Sequence, residues 1–210
     1  MTVNHPIFSR FYDRLSRATE RQGADEHRRE MLAGLTGRVI EVGAGNGLNF
    51  AYYPADVGQV VAVEPEPHLR AVANAAATTA HLPVRLVDGV AEELPYGDAK
   101  FDAGVFSLVL CSVSDQRRAL LELFRVIRPG GQLRFYEHVR STDARLARVQ
   151  RAADTVWPYF AGGCHTNRDT VQAIRDAGFE VQAVRSLRFP DTRVFIPASP
   201  HVIGVARRPG

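Results

Sequence analysis

The sequence predicts an α/β fold: one mostly parallel, doubly wound sheet covered by helices on both faces. Three observations carry this. Short apolar runs of strand length alternate with segments of helical period along most of the chain. The first such run ends in a glycine cluster, Gly43, Gly45 and Gly47. The 210 residues, 45% apolar and 23% charged, supply one sizeable core and show neither an internal repeat nor a linker.

The elements follow in order. Residues 1–35 read as a helical extension. Phe8, Phe11, Tyr12 and Leu15 recur at helical spacing, Arg10, Arg14, Arg17 and Arg21 line another face, and a break near Gly23 to Asp25 splits two helices. The period then changes. Residues 38–42 form a short buried strand, and a short helix follows up to Tyr53-Pro54. Residues 59–64 are the next strand, after which Pro65 and Pro67 start a helix containing Leu69, Val72, Ala73 and Ala76. Strands are expected over 84–87 and 101–107.

Ser114 is the expected N-cap of a helix with Leu120, Leu123, Phe124 and Ile127 on one face. Pro129-Gly130-Gly131 stops that helix and opens a strand over 132–138. Ser141 caps a helix carrying Leu146, Val149, Ala153 and Trp157, which ends at Pro158. Thr166 or Asn167 starts the last helix, with Gly178 just past its end. Residues 179–187 and 202–206 are the final strands, separated by a proline-containing loop.

Charge and cysteine content exclude several classes. The 26 basic residues, 25 of them arginines, face 23 acidic ones for a net charge of +3, a mixed surface rather than a nucleic-acid footprint. Two cysteines, Cys111 and Cys164, exclude a disulfide scaffold and a four-cysteine zinc site and suit a reducing cytoplasm. Beyond these two and His165 no ligand spacing appears, so no metal is expected. The longest apolar-rich run, 105–113, falls short of the roughly 20 residues of a bilayer span. The N-terminus lacks a signal-type apolar region. A cytoplasmic protein without membrane insertion is expected, with self-association into a homodimer left open.

Ligands of such sheets bind beyond the carboxyl ends of the strands. The spacing Gly43-x-Gly45-x-Gly47 departs from the dinucleotide pattern because Leu48 stands where a third glycine would fall. Glu41 lies two residues before the first glycine, and Glu64 ends the second strand, 17 residues after Gly47. A carboxylate at that strand end suits two ribose hydroxyls. A carboxylate at Glu41 repels pyrophosphate but attracts an ammonium or sulfonium.

The segment Val39-Ile40-Glu41-Val42-Gly43-Ala44-Gly45-Asn46-Gly47 resembles the first motif of class I S-adenosylmethionine-dependent methyltransferases. Ala91-Glu92-Glu93-Leu94-Pro95, Phe101-Asp102 and Arg128-Pro129-Gly130-Gly131 resemble its later motifs, in order. The resemblance covers about residues 36–208. It implies a methyltransferase domain over 36–210 with a single Rossmann-like sheet of seven strands, the last antiparallel. The implied cofactor is S-adenosylmethionine, with S-adenosylhomocysteine as product.

The implied cofactor contacts are Glu41, Gly43, Ala44, Gly45, Asn46, Gly47 and Asn49 around the first turn, and Glu64 and Pro65 after the second strand. Val90, Ala91, Ser107 and Leu108 complete the set. Val90 stands where many class I enzymes carry an adenine-binding aspartate, which leaves that recognition to backbone groups of Val90 and Ala91, or to Asp88.

Residues Leu108 to Val113, Tyr136-Glu137-His138-Val139 and Gly162-Gly163-Cys164 are similar to a methyltransferase-like group that includes membrane-associated alkyl-thiol S-methyltransferases. So are Asn49-Phe50 with Tyr53-Pro54, and Pro200-His201-Val202-Ile203-Gly204. Those relatives carry an apolar N-terminal anchor. No such run stands here, so membrane attachment is not carried over. The expected activity is methyl transfer to a small molecule, preferably a thiol. The alternatives are O- or C-methylation of a phenol or quinone, a non-catalytic S-adenosylmethionine-binding module, and a dinucleotide-dependent oxidoreductase.

His138 and His165 are the candidate bases. Phe11, Tyr12, Cys111, Trp157 and Cys164 are candidates to line the acceptor pocket, with residues 1–35 as a lid over it. Strand alternation sends Glu137 and His138 to opposite sides, so they form no dyad.

Overall fold

The computed structural model describes residues 6–190 and 196–210; the side chains of Pro6, Ile7, Phe8, Arg10 and Arg21, and the loop 191–195, lie outside the described residues. Seven strands form one sheet: β1 (Gly37–Val42), β2 (Val57–Val63), β3 (Val84–Val87), β4 (Phe101–Ser107), β5 (Ile127–His138), β6 (Glu180–Arg188) and β7 (Pro200–Arg207). Their order is β3-β2-β1-β4-β5-β7-β6. β1 runs parallel to β2 and β4, β2 to β3, and β4 to β5, whereas β7 is antiparallel to both β5 and β6. The chain winds outward from β1 in one direction and from β4 in the other. The switch point, where such sheets open a crevice, therefore lies beyond the ends of β1 and β4.

Burial on both faces explains the unbroken apolar runs. Neighbours Val39 and Ile40 of β1 point to opposite sides, yet both are fully buried. Ile40, Val42 and Phe106 pack with Leu120 and Leu123 of α4 (Gln116–Val126) and Ile174 of α7 (Thr170–Asp176). Val39, Val60 and Val105 pack with Met31 and Leu32 of α2 (Asp25–Leu32) and Ala73 of α3 (Pro67–Ala77). Gly104 lets α4 sit close: a Cβ there would lie 2.6 Å from Leu123 Cδ1.

Several expected boundaries move, each for a local reason. Asp115 rather than Ser114 caps α4, accepting from Arg118 N, while Ser114 Oγ donates to Glu92. Asp143 rather than Ser141 caps α5 (Ala144–Ala153). That helix stops at Ala153, and Trp157 opens a separate turn, α6 (Trp157–Phe160). Asp169 caps α7, because Thr166 is held by Asp154 instead. β5 starts at Ile127: the Pro129-Gly130-Gly131 turn shifts the register within the strand and does not precede it.

At the N-terminus α1 (Pro6–Thr19) passes through a wide turn, Glu20–Ala24, into α2. Gly23 at φ +103° makes that turn. The apolar stripe splits: among its described side chains Tyr12 faces inward, over Gly45. Phe11 and Leu15 are exposed, while Ser9 and Ser16 are buried.

Candidate active site

The turn after β1 closes over the end of β2. Gly43 N and Ala44 N both donate to Val63 O, at 2.8 and 3.1 Å. Gly45 (φ +57°) and Gly47 (φ +79°) take left-handed backbone. The Glu64 carboxylate accepts from Gly45 N at 2.7 Å and from Glu66 N at 2.9 Å. Burial raises the Glu64 carboxyl above its ordinary value, and those two N–H groups oppose the rise. The glycine loop and the end of β2 are thus one unit.

α1 lies on this loop. Asn46 Nδ2 donates to Asp13 Oδ1 at 2.7 Å and to Ser16 Oγ at 2.9 Å. The Tyr12 ring faces Gly45, 3.5 Å from where a Cβ would stand. The Tyr12 phenol is pushed up to about 12, first by burial, with Glu64, Cys111 and Glu137 adding to the rise against Arg28. Its hydroxyl lies beside the glycine loop, 3.9 Å from the same point.

Beneath the loop, Glu41 is buried and bonded on both oxygens. Asn49 Nδ2 donates to Oε1 at 2.7 Å and Tyr53 OH to Oε2 at 2.8 Å. Burial pushes its carboxyl up to about 7 despite those bonds and the Arg28 charge. Arg28 completes the network from α2. It donates to Glu20 Oε1 at 2.7 Å, Asn49 Oδ1 at 2.8 Å and Ser107 Oγ at 3.3 Å. Sequence reasoning missed Arg28 and Tyr53; nothing local separates this arginine from the other 24.

The β4–β5 side is organised by Glu137. Its Oε1 accepts from Val109 N at 2.9 Å and Leu110 N at 3.0 Å, while Oε2 is buried without a partner among the described residues. Burial pushes this carboxyl up to about 7 as well. Leu108 is held at φ +60°, an uncommon conformation for a branched side chain, as the chain turns over the sheet edge. Cys111, His138 and Cys164 converge beside it, with His138 Nδ1 3.3 Å from Cys164 Sγ. The closeness of the two thiols lowers that of Cys164 and raises that of Cys111; burial adds to the rise and His138 to the lowering.

Two carboxylates at the ends of adjacent parallel strands, beside left-handed glycines, disfavour a pyrophosphate and suit a cationic ligand with vicinal hydroxyls. Comparison with known proteins agrees. Residues 40–135 match a family model described as a methyltransferase domain. The human Thiol S-methyltransferase TMT1B is 35% identical over 182 residues, 83% of this chain and 73% of that protein. This chain belongs to the class I S-adenosylmethionine-dependent methyltransferases. A SAM-dependent methyltransferase from Methanosarcina mazei superposes with a TM-score of 0.64 at 21% identity, covering 82% of this chain and 92% of its own. A geranyl diphosphate methyltransferase in complex with SAM gives 0.67 at 16% identity, covering 89% and 85%.

The cofactor of this methyltransferase is S-adenosylmethionine, and the donor set fits it. A carboxylate has about four acceptor positions; Glu64 uses two on backbone, leaving two for hydroxyls. The Gly45 backbone carries no side chain to bar a ligand. Val90 forms an isolated bridge with Glu93, and Ala91 is buried beside it. Asp88, the alternative adenine partner, is held by Arg70 at 3.2 Å. Pro65 O accepts from Arg70 at 3.0 Å.

The remaining candidates divide. Cys111, His138 and Cys164 come together and Tyr12 faces Gly45, whereas His165 turns to Asp154 Oδ2 at 3.6 Å with its side chain 41% exposed. Phe11 is 57% exposed, away from the cleft side of α1 that carries Tyr12. Trp157 Nε1 is buried with no acceptor in bonding geometry among the described residues. Among the described residues, no helix is long and apolar enough to cross a membrane.

Proposed function

We propose that this methyltransferase methylates a small-molecule thiol at the ends of β4 and β5. The observation that carries this reading is the 35% identity to a thiol S-methyltransferase across 83% of the chain. The soft cluster of Cys111, His138 and Cys164 at the same sheet edge is consistent with it. S-Adenosylmethionine supplies an activated methyl group on a sulfonium.

The residues of the chain bind and align. Glu64 holds the ribose hydroxyls, and the backbone of Gly43, Ala44, Gly45, Asn46 and Gly47 wraps the ligand. Val90 and Ala91 flank the adenine through backbone groups. Glu41, with Asn49 as its hydrogen-bond donor, sets the negative field for the ammonium. Ser107 and Leu108 border the reacting end, with the Tyr12 phenol over it and α1 excluding water. A thiol ionises near ~8.5, so the acceptor needs little help to lose its proton, and alignment carries most of the catalysis.

Glu64→Gln keeps a backbone acceptor but loses a charge-assisted bond, and should weaken S-adenosylmethionine binding by about 1–3 kcal/mol in calorimetry. Unchanged affinity would remove Glu64 from the ribose site. For the acceptor, a labelled-methyl assay against alkyl thiols, phenols and quinols should give a thioether from the thiol, with a rate that rises with thiol ionisation. Methylation of phenol or quinol alone would overturn the thiol reading.

A further inference from the structure

Three donor side chains meet outside the cofactor cradle. Cys111 follows β4, His138 ends β5 and Cys164 follows α6. One donor atom from each lies within 4.8 Å of the others, and both thiols are free and buried. We propose that Cys111, His138 and Cys164 form a site for a thiophilic divalent cation of the zinc type, with the fourth position open to a soft donor from solution.

The chemistry and the spacing agree. Zinc prefers thiolate and imidazole, at about 2.3 Å to sulfur and about 2.0 Å to nitrogen. Tetrahedral geometry then puts ligand atoms roughly 3.5–3.8 Å apart. The His138 Nδ1 to Cys164 Sγ separation is already 3.3 Å, so small side-chain rotations close the set. Two thiolates and a neutral imidazole around a dication leave no net charge in a buried place. No fourth His, Cys, Asp or Glu joins the group among the described residues. Three protein ligands with an open position is the arrangement of zinc sites that bind a reactant, not of purely structural ones.

The supporting shell is built. His165 N donates to Cys111 O at 2.8 Å, tying the two cysteine loops together. Gly163, at φ +84°, approaches so closely that a Cβ would stand 3.1 Å from Ser112 O. Ser112 Oγ lies 3.4 Å from Cys111 Sγ. The His201 ring meets His138 edge-on, with centroids 4.4 Å apart, and steadies its plane. Such outer partners orient metal ligands. Sequence spacing hides the set, because its histidine comes from a strand end and not from the Gly162-Gly163-Cys164-His165 loop.

The test is anaerobic cobalt(II) titration of the fully reduced full chain, followed by displacement with zinc(II). The expected result is one equivalent of cobalt in a tetrahedral visible spectrum with thiolate charge-transfer bands, bleached by zinc. Added alkyl thiol should shift the visible bands as it takes the open position. Cys164→Ser and His138→Ala should each weaken binding by more than about 100-fold, with His165→Ala unchanged. No binding to the reduced wild type, an octahedral spectrum, bands insensitive to alkyl thiol, or equal binding by Cys164→Ser would overturn the proposal. The wild-type spectrum decides even where a variant fails to fold, and does so whichever acceptor the enzyme methylates.

Discussion

Replacing Arg28 by alanine is expected to lower unfolding free energy by about 3–5 kcal/mol, measured by urea denaturation at neutral pH. Arg28 is only 6% exposed and joins three parts of the chain that are distant in sequence. It bonds Glu20 in the turn between α1 and α2, Asn49 after the glycine loop, and Ser107 at the end of β4. Removing it leaves a cavity, a nearly buried Glu20 carboxylate, and an Asn49 carbonyl without its donor. Each destabilises a folded protein strongly. The loss also strips Glu41 of the cation that holds its carboxyl down. Arg28→Met separates volume from charge. If methionine restores most of the stability, Arg28 acts by packing; a loss below about 1 kcal/mol for alanine would show that the network is dispensable.

The limits of the sequence lie in partners, not in elements. β3 and β4 are legible to the residue: Pro83 and Asp88 bracket the first, and the polar turn Gly97-Asp98 precedes the second. The glycine loop and Glu64 are legible because a turn of that spacing after a strand has few uses. What fails is choice among adjacent candidates. Ser114 and Asp115 both suit a cap, and only the tertiary bond from Ser114 to Glu92 decides. The helical stripe with Phe11, Tyr12 and Leu15 reads as a lid whose Phe11 and Tyr12 both line the pocket. In the fold that side of α1 meets a polar loop, so Ser16 and Tyr12 turn in and Phe11 turns out. Arg28 gives no local signal at all, and Glu137, though part of a resembling motif, gives none of its role, because their partners are backbone groups and side chains brought near by the sheet.

Glu41→Gln should make the ligand-free protein more stable above pH 7 while weakening its hold on the cofactor. The Glu41 carboxyl is pushed from 4.5 up to about 7, chiefly by burial. Between those values the native state holds a proton that the unfolded chain has released. Stability contributed by this group is therefore full below pH 4.5 and falls as pH rises towards 7. At 1.36 kcal/mol per pKa unit, the fall amounts to about 3 kcal/mol. Buried His201, pushed well below its ordinary value by burial, acts in the opposite sense below pH 6.5, but it is common to both proteins. The difference between wild type and Glu41→Gln isolates the glutamate. Glutamine keeps the shape: its carbonyl accepts from Asn49 Nδ2, and the Tyr53 hydroxyl reverses to accept its amide. The variant should gain on wild type by up to about 3 kcal/mol between pH 4.5 and 7.5, read by denaturant titration across that range. A flat difference would mean that Glu41 is already ionised in the free protein. Stability given up at neutral pH then serves binding: a cation at this position stabilises the carboxylate, so cofactor binding should tighten from pH 6 to 8 and release a proton below pH 7. In Glu41→Gln both the tightening and the proton release should disappear.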